Sequence, residues 1–471
     1  MFRFGRFFRT LFALFFKVFL RSGFYSLLYG VAVVAGLVCQ AKQCGLRKKP
    51  IKRSRAMKLE NGIRYRDFSV PYLVDETLRE GIERTAFPIT VDAKLSILKS
   101  MVEAGLRDFV VGCGPEEPLV WDRLHRARQA GELPADTQAT FIVLLNCWET
   151  ALAYFKARAH RREWIADTVF SFGMITYRQS DGEFEHAIRA FRELGAVKFK
   201  ASVLNNFRNG VCEQRYAEIC RQIDWAVNLG VDIIRINDSV GSLQPHVTRW
   251  LCSKLVADYP RLVFCLHAHN DNGLALANTM QAIQCGFQMV EGALAGFGNR
   301  SGIAPLEQVV KLCRDNNIQL GAQPLDLDKL IGAARYCEEK LLQLPGVYRP
   351  VSGKFETLSN YGVLNIPDFL ETQDDKAYFV NYVGLHPQTI RQALADYSSL
   401  STQVAEIADE ELWPIVESLK EEMRASMSDI EVRYQHAMAG VMEFYRSCTY
   451  SPMHLARYAE RQLLQEQPAH G

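Results

Sequence analysis

The sequence predicts a chain of the α/β class: a (β/α)8 TIM barrel, preceded by an apolar, basic head and followed by a small mixed or helical C-terminal region. Two observations predict the barrel. From residue 70 onward, eight short β-rich runs end in polar residues and alternate with longer amphipathic stretches. These repeats occupy about 240 residues, the usual size of such a barrel. A doubly wound open sheet would need a glycine-rich phosphate-binding turn after its first strand, and residues 76–81 (ETLREG) are not such a turn.

The eight predicted strands each combine a β-rich run with a polar end. They are Tyr72 to Leu78, Asp108 to Cys113, Ala139 to Asn146, Thr168 to Ile175, Val197 to Val203, Asp232 to Ser239, Val263 to Asn270 and Met289 to Gly296. The first predicted helix begins at the capping residue Thr90, after which Leu95, Leu98 and Met101 recur at helical spacing. Because the active sites of such barrels lie at the carboxyl ends of the strands, these polar ends mark the candidate site.

Charge is distributed unevenly along the chain. The first 55 residues contain 12 Lys or Arg and no Asp or Glu, so the rest of the chain carries 43 basic against 53 acidic residues. An acidic body argues against a nucleic-acid-binding protein, because phosphate binding needs a basic surface. The 12 cysteines include no C-x-x-C pair. This pattern predicts reduced thiols in a cytoplasmic enzyme rather than a disulfide framework or a zinc knuckle.

Residues 1–56 form the apolar, basic head. Its second apolar run, residues 23–39, is at the lower limit of the roughly 17 to 25 residues that a membrane span needs. The basic residues between 42 and 55 would keep the following body in the cytoplasm. We therefore expect a cytoplasmic enzyme, with residues 1–56 as a candidate membrane anchor. Two alternatives stay open: an upstream extension of the reading frame with Met57 as the true start, and a cleaved targeting segment.

A pair of histidines on the seventh predicted strand indicates a metal site. His267 and His269 flank one residue, so the period of two points both imidazoles to the same side. Two histidines with one or two carboxylates suit a divalent ion such as Mn, Mg, Co or Zn, and the first strand offers Asp75 and Glu80. Strand histidines are often merely packed in a core. The coincidence of acidic residues and Arg79 at the end of strand one favours the metal interpretation, because only a closed barrel brings these ends together.

Three ordered motifs resemble one family. Residues 74–81 (VDETLREG) resemble the D-x-T-L-R-E/D-G signature of the metal-dependent barrel enzymes that include homocitrate synthase, isopropylmalate synthase and hydroxymethylglutaryl-CoA lyase. Residues 238–241 (DSVG) resemble their D-T-V-G turn, and residues 267–307 resemble their H-x-H-N-D segment through the glycine-rich loop after strand eight. Residues 302–306 (GIAPL) resemble the G-I-T-P-L loop of homocitrate synthases most closely. Ile303 stands where isopropylmalate synthases and the lyase carry a metal-binding Asn.

The resemblance implies an acyltransferase that condenses acetyl-CoA, or a related thioester, with a 2-oxo acid to give a 2-hydroxy acid. It implies that His267 and His269 bind a divalent metal together with Glu80, Asp75 or both, and that Arg79 stabilises the developing oxyanion. The partners implied are therefore a small 2-oxo acid and a CoA thioester, and a homodimer is expected.

Three further residues are expected to bind the substrate, namely Asn237, Asp238 and Asn270. For Asn237 and Asp238, a role in helix capping or in a turn is the alternative. Lys198 and Lys200 on the fifth strand also admit a Schiff-base aldolase, but the metal motif makes an imine unnecessary.

The resemblance weakens after the barrel. We assign residues 57–325 to the catalytic barrel, 326–400 to a small linker subdomain and 401–471 to a helical region. The synthases carry two histidines in the subdomain, whereas this chain reads FETLSNYG at 355–362, so the general base is expected to be Glu356 or His386.

The chain keeps the family's metal-binding motifs but lacks the two histidines of the subdomain. Two alternatives to the synthase therefore stay open. One is a metal-dependent carbon–carbon lyase or aldolase running the reverse cleavage. The other is an inactive barrel that acts as an interaction protein.

Overall fold

The computed structural model describes residues 69–85, 88–175, 182–321, 323–353, 358–360, 376–379, 382 and 385–465. The head, residues 1–56, and the candidate base Glu356 lie outside the described residues. The predictions for the head therefore stay predictions.

Eight parallel strands close into a barrel in chain order, which confirms the predicted fold. The strands are β1 (Tyr72–Asp75), β2 (Asp108–Cys113), β3 (Gln138–Leu144), β4 (Val169–Ile175), β5 (Lys198–Asn205), β6 (Ile233–Asp238), β7 (Val263–Ala268) and β8 (Met289–Gly292). The pairing of β1 with β8, in which Tyr72 lies opposite Met289 and Asp75 opposite Gly292, closes the barrel. A closed barrel leaves no unpaired sheet edge.

Helices connect the strands and cover the outside of the barrel. They are α1 (Val91–Glu103), α2 (Leu119–Gln129), α3 (Trp148–Lys156), α4 (Arg162–Asp167), α5 (Glu183–Leu194), α6 (Glu213–Asn228), α7 (Pro245–Asp258), α8 (Ala275–Gln284) and α9 (Leu306–Asp315). Helix α1 begins as the sequence predicts, since the Thr90 hydroxyl accepts a hydrogen bond from the Ala93 N–H at 3.2 Å. This capping bond satisfies a backbone donor that has no partner within the helix.

The first predicted strand run is partly wrong, because β1 ends at Asp75 and residues Thr77–Gly81 form a short π-helical turn instead. The Asp75 carboxylate accepts hydrogen bonds from the Thr77 N–H at 3.1 Å and from the Thr77 hydroxyl at 2.5 Å. A side chain that bonds to the backbone two residues later favours a turn over a continued strand. The turn carries Arg79 and Glu80 back over the mouth of the barrel.

Side chains alternate between the two faces of each strand. Outward residues such as Phe109, Phe170 and Phe264 join a large apolar core beneath the helices. Inward residues form a second, small apolar cluster of Val74, Val110, Ile142, Cys265 and Met289. His267 follows Cys265 by two positions and therefore shares the inner face of β7.

Further helices follow the barrel. They are α10 (Leu327–Lys340), α11 (Pro387–Tyr397), α12 (Asp409–Ala425), α13 (Met427–Cys448) and α14 (Pro452–Gln465). A two-stranded parallel sheet, Leu358–Asn360 with Lys376–Phe379, lies between α10 and α11 in sequence. Helix α10 buries Leu330, Ala334 and Cys337 in the main core of the barrel. The domain boundaries at residues 325 and 400 remain predictions.

Two further observations concern the cysteines and the search for a membrane span. Every cysteine in the described part of the chain is a free thiol. Among the described residues, the structure has no helix of the length and apolarity that a membrane span requires.

Candidate functional site

Three buried side chains from distant parts of the chain meet at the carboxyl end of the barrel. His267 lies at the end of β7, His269 follows in the next loop, and Glu80 belongs to the turn after β1. Each histidine places its Nε2 atom 3.8 Å from an oxygen of Glu80. One ligand atom of each residue lies within 4.8 Å of the other two, and the histidines are only 2% and 8% exposed. The three side chains therefore form a candidate metal centre.

The loop after β8 holds Glu80 in this position. The Asn299 N–H donates a hydrogen bond to Glu80 Oε1 at 3.0 Å. The Thr77 hydroxyl also accepts a bond from the Leu294 N–H at 2.8 Å, so the turn after β1 and the loop after β8 are joined at two points. Gly302 allows this loop to fold, because it has a φ of +83° and a Cβ atom there would lie 1.9 Å from the carbonyl oxygen of Gly296.

The protonation states of Glu80 and His269 suit metal binding. Burial opposes the ionisation of Glu80, but the neighbouring His267, Arg79 and His269 outweigh it and lower the pKa of this carboxyl. Burial, followed by the neighbouring His267, lowers the pKa of His269 to about 4. A carboxylate and a neutral imidazole are the forms that bind divalent ions. The donor set of two imidazoles and one carboxylate thus fits a divalent metal.

Arg79 lies beside this centre. Its guanidinium forms an ion pair with Glu80 and approaches Glu76 at 3.8 Å and Glu83 at 3.4 Å. Its Nε atom is buried and has no hydrogen-bond partner among the described residues. The ion pair with Glu80 gives Arg79 a structural contact at this site. The unused donor leaves the guanidinium able to bind a further oxygen beside the candidate ligands.

Asp75 lies outside the cluster of Glu80, His267 and His269, so its role as a metal ligand stays a prediction. Both of its carboxylate oxygens are held by Thr77. Complete burial raises its pKa to about 8, so the group is largely protonated at neutral pH. A protonated carboxyl in a satisfied turn is a poor metal ligand.

The three expected substrate-binding residues have different surroundings. Asp238 accepts hydrogen bonds from the N–H groups of Ser242 and Leu243 at 2.9 and 2.7 Å, which is the turn role that the sequence left open. Asn270 accepts a bond from the Ala275 N–H at 3.1 Å, at the start of α8. Asn237 pairs in register with His267, and its side-chain oxygen is buried without a partner in the described part of the chain. The buried, unpartnered oxygen of Asn237 is therefore a polar atom next to the strand that carries His267.

His386 is the described candidate for the general base. It occupies the N-cap position of α11, where its ring lies 3.1 Å from the Thr389 hydroxyl. The ring also accepts from the Thr389 N–H at 3.4 Å. The structure thus gives His386 a helix-capping role, and its catalytic role stays a prediction.

Sequence reasoning missed a layer of charge inside the barrel, beneath the candidate ligands. Lys200 Nζ lies 2.5 Å from Glu291 Oε1, and Arg235 Nη1 lies 2.8 Å from Glu76 Oε1 and 3.2 Å from Glu291 Oε2. All four side chains are buried. The signal was present in the sequence, since these charged residues stand at inward positions of otherwise apolar strands. Lys200 is ion-paired, which does not favour the Schiff-base alternative.

Comparisons with known proteins identify one family. A family model described as HMGL-like matches residues 70–336. Homocitrate synthase of Saccharolobus solfataricus is 27% identical over 305 residues, which cover 62% of this chain and 62% of that protein. Homocitrate synthase of Sulfolobus acidocaldarius is 26% identical over 296 residues, with 62% of this chain and 61% of that protein covered. The chain thus matches less than two thirds of the length of these relatives.

One group of solved structures is also similar. The crystal structure of hydroxymethylglutaryl-CoA lyase from Pseudomonas aeruginosa is 18% identical in sequence, with a TM-score of 0.46. The match covers 59% of this chain and 94% of that chain.

Proposed function

The chain belongs to the HMGL-like family, and from this premise we propose that it is a metal-dependent acyltransferase that condenses acetyl-CoA, or a related thioester, with a 2-oxo acid. The observation that carries the proposal is the convergence of Glu80, His267 and His269 beside Arg79. The similarity to homocitrate synthases and the loop sequence GIAPL at 302–306 support the direction of synthesis.

We propose that Glu80, His267 and His269 hold a divalent ion such as Mn, Mg, Co or Zn. When bound, the ion would act as a Lewis acid that polarises the 2-oxo group of the acid. The burial of all three side chains supports this assignment, because water is excluded from the donors. Their low exposure also increases the strength of electrostatic interactions at the site.

Arg79 would stabilise negative charge on the reacting oxygen. Its ion pairs with Glu80 and Glu83 hold the guanidinium at the mouth of the barrel, and its Nε–H is free among the described residues to donate a hydrogen bond. A charged donor that is fixed before the reaction needs little reorganisation as charge develops. A lysine would lack the planar set of donors that holds both the carboxylates and the substrate oxygen.

The condensation also needs a base that removes a proton from the thioester methyl group. Glu356 and His386 are the proposed candidates. Exchange of the methyl protons of acetyl-CoA with solvent deuterium measures this step separately from binding of the 2-oxo acid. We expect Glu356→Gln or His386→Ala to slow the exchange and to leave 2-oxo acid binding nearly unchanged. Unchanged exchange in both variants would exclude both residues as the base.

The proposed activity is tested with a substrate panel. Purified full-length protein is loaded with Mn²⁺ and incubated with acetyl-CoA and a series of 2-oxo acids, and release of free CoA is measured. We expect release that depends on one 2-oxo acid and that stops on addition of a chelator. The reverse assay offers 2-hydroxy acids and their CoA thioesters and measures formation of acetyl-CoA or pyruvate.

The two assays separate the proposed synthase from its alternatives. Cleavage without condensation would replace the synthase with a carbon–carbon lyase. If neither reaction occurs and the protein retains no stoichiometric metal, the inactive barrel is the better description. His269→Ala serves as the matched control for background thiol release, because it removes one proposed ligand.

A further inference from the structure

The two candidate metal-binding histidines differ at their second ring nitrogen. His267 Nδ1 lies 2.9 Å from Glu291 Oε2, and both side chains are buried. His269 Nδ1 is also buried, but it has no hydrogen-bond partner among the described residues. Within the described part of the chain, His267 therefore has a carboxylate at its second ring nitrogen and His269 does not.

Two cationic side chains hold Glu291 in addition to its contact with His267. Its Oε1 atom accepts from Lys200 Nζ at 2.5 Å, and its Oε2 atom accepts from Arg235 Nη1 at 3.2 Å. Arg235 is fixed in turn by the Ser202 hydroxyl, 2.8 Å from its Nε atom, and by Glu76. The side chain of Glu291 is fully buried and cannot move without breaking several charged contacts.

These contacts determine what Glu291 presents to His267. Its Oε1 atom contacts the Lys200 ammonium and its Oε2 atom contacts the Arg235 guanidinium, so the geometry is that of an ionised carboxylate between two cations. An ionised carboxylate can only accept hydrogen bonds. The nearby Nδ1 atom of His267 must therefore carry a proton for the contact to be favourable.

We propose that Glu291 is a positioning residue that holds His267 in its Nδ1–H tautomer and so directs the Nε2 lone pair toward Glu80. In a neutral imidazole one nitrogen carries the proton and the other the free lone pair, so an acceptor at Nδ1 selects Nε2 as the ligand atom. A buried carboxylate also orients the ring and increases its basicity as a ligand. Its effect on metal affinity rests on the proposed function. His267 is then the orientationally fixed histidine of the pair, whereas His269 lacks such support among the described residues.

If Glu291 had a purely structural role, its variants would behave differently. In that case the carboxylate only neutralises Lys200 and Arg235, and any variant that restores charge balance would behave like the native protein. Replacement of Glu291 alone leaves excess positive charge in the barrel, which could prevent folding. The decisive variant is therefore Lys200→Met with Glu291→Leu, which removes one charge of each sign. Lys200→Met alone is the matched control, because Glu291 keeps its contacts with Arg235 and His267.

The tautomer is measured first, in metal-free full-length protein with ¹⁵N-labelled histidine. The ¹⁵N shifts of His267, assigned with a His267→Asn variant, report which nitrogen carries the proton. We expect the Nδ1–H tautomer in the native protein and in Lys200→Met, and a shift toward Nε2–H in the double variant. The signals of His269 should keep the same tautomer in all three proteins. A native His267 in the Nε2–H form would overturn the proposal.

Metal affinity is measured next by titrating each metal-free protein with Mn²⁺ in a calorimeter. We expect the double variant to bind about 10- to 100-fold more weakly than Lys200→Met, the usual effect of losing such a partner. Equal affinities in these two variants would overturn the positioning role. If the native protein binds no Mn²⁺ or other divalent ion although His267 is the Nδ1–H tautomer, the proposed function fails while the assignment of the tautomer stands.

Discussion

The side chains outside and inside the barrel sheet have opposite character. Between the strands and the helices, aromatic residues pack edge to face, and the ring of Phe155 lies 5.0 Å from the rings of both Phe141 and Phe170. Inside the barrel, comparable burial is found for charged groups, among them Lys200 and Glu291. The same strands therefore present an apolar face to the helices and a partly charged face to the barrel axis.

The outer and inner faces of the sheet contribute differently to stability and to chemistry. Burying aromatic surface stabilises the fold by about 25 cal/mol per Å² of apolar area. Burying a charge costs free energy, which a well-paired partner offsets only in part. The charged interior is therefore a poor source of stability, and its position beneath Glu80, His267 and His269 agrees with a role at the candidate site. Substitutions on the two faces should accordingly have different consequences.

Loss of either candidate metal-binding histidine should have the largest effect. We expect His267→Ala and His269→Ala each to abolish tight binding of divalent metal and activity, because chelation by two histidines is lost, while the apolar core keeps the barrel folded. Metal content by mass spectrometry and the circular dichroism spectrum check the two parts of this prediction. Full metal content in both variants would show that these histidines are not ligands.

A substitution on the outer face should affect stability instead. Phe170→Ala removes a fully buried ring from the core beneath the helices, and we expect the free energy of unfolding to fall by about 3 to 5 kcal/mol. The remaining folded protein should bind metal with native affinity. Denaturant unfolding measures the change, and Phe170→Leu should give a smaller loss. Weakened metal binding in folded Phe170→Ala protein would break the distinction between the two faces.

Arg79→Lys should lower the rate without lowering stability by a comparable amount. Loss of one charged donor to a developing oxyanion costs about 2.7 to 4 kcal/mol of transition-state stabilisation, or roughly two to three orders of magnitude in kcat. Metal content should stay native, since Glu80 and both histidines are retained. Steady-state kinetics measure the change, with the exposed Arg84→Lys as a matched control. A native rate in Arg79→Lys would assign Arg79 to the ion pairs with Glu80 and Glu83 alone.

The smallest expected effect is at the start of α1, a helix that contributes no candidate ligand to the cluster of Glu80, His267 and His269. Thr90→Ala removes the hydroxyl that accepts from the Ala93 N–H. We expect a loss of about 1 kcal/mol in the free energy of unfolding and no change in metal affinity. Urea unfolding distinguishes Thr90→Ala from Thr90→Ser, which keeps the capping oxygen. Equal stability of the two variants would show that the cap contributes nothing measurable.

Local patterns in the sequence determine much of this protein. The period of two along each strand and the eight repeats predict the barrel, and the Thr90 signal predicts the first residue of α1. The spacing of His267 and His269 places both imidazoles on one side, and the structure brings them together with Glu80. These features depend on neighbours within a few residues, which a sequence displays directly.

The tertiary structure alone decides which carboxylates accompany the histidines. Asp75 and Glu80 are both plausible ligands in the sequence, but Thr77 engages Asp75 and the loop after β8 holds Glu80. Glu291 lies behind His267 because of how β7 and β8 pair, a register in which Leu266 stands opposite Val290. Register and barrel closure depend on contacts between residues far apart in the chain. A local pattern can therefore assign a side chain to a face, while the folded barrel selects its partner.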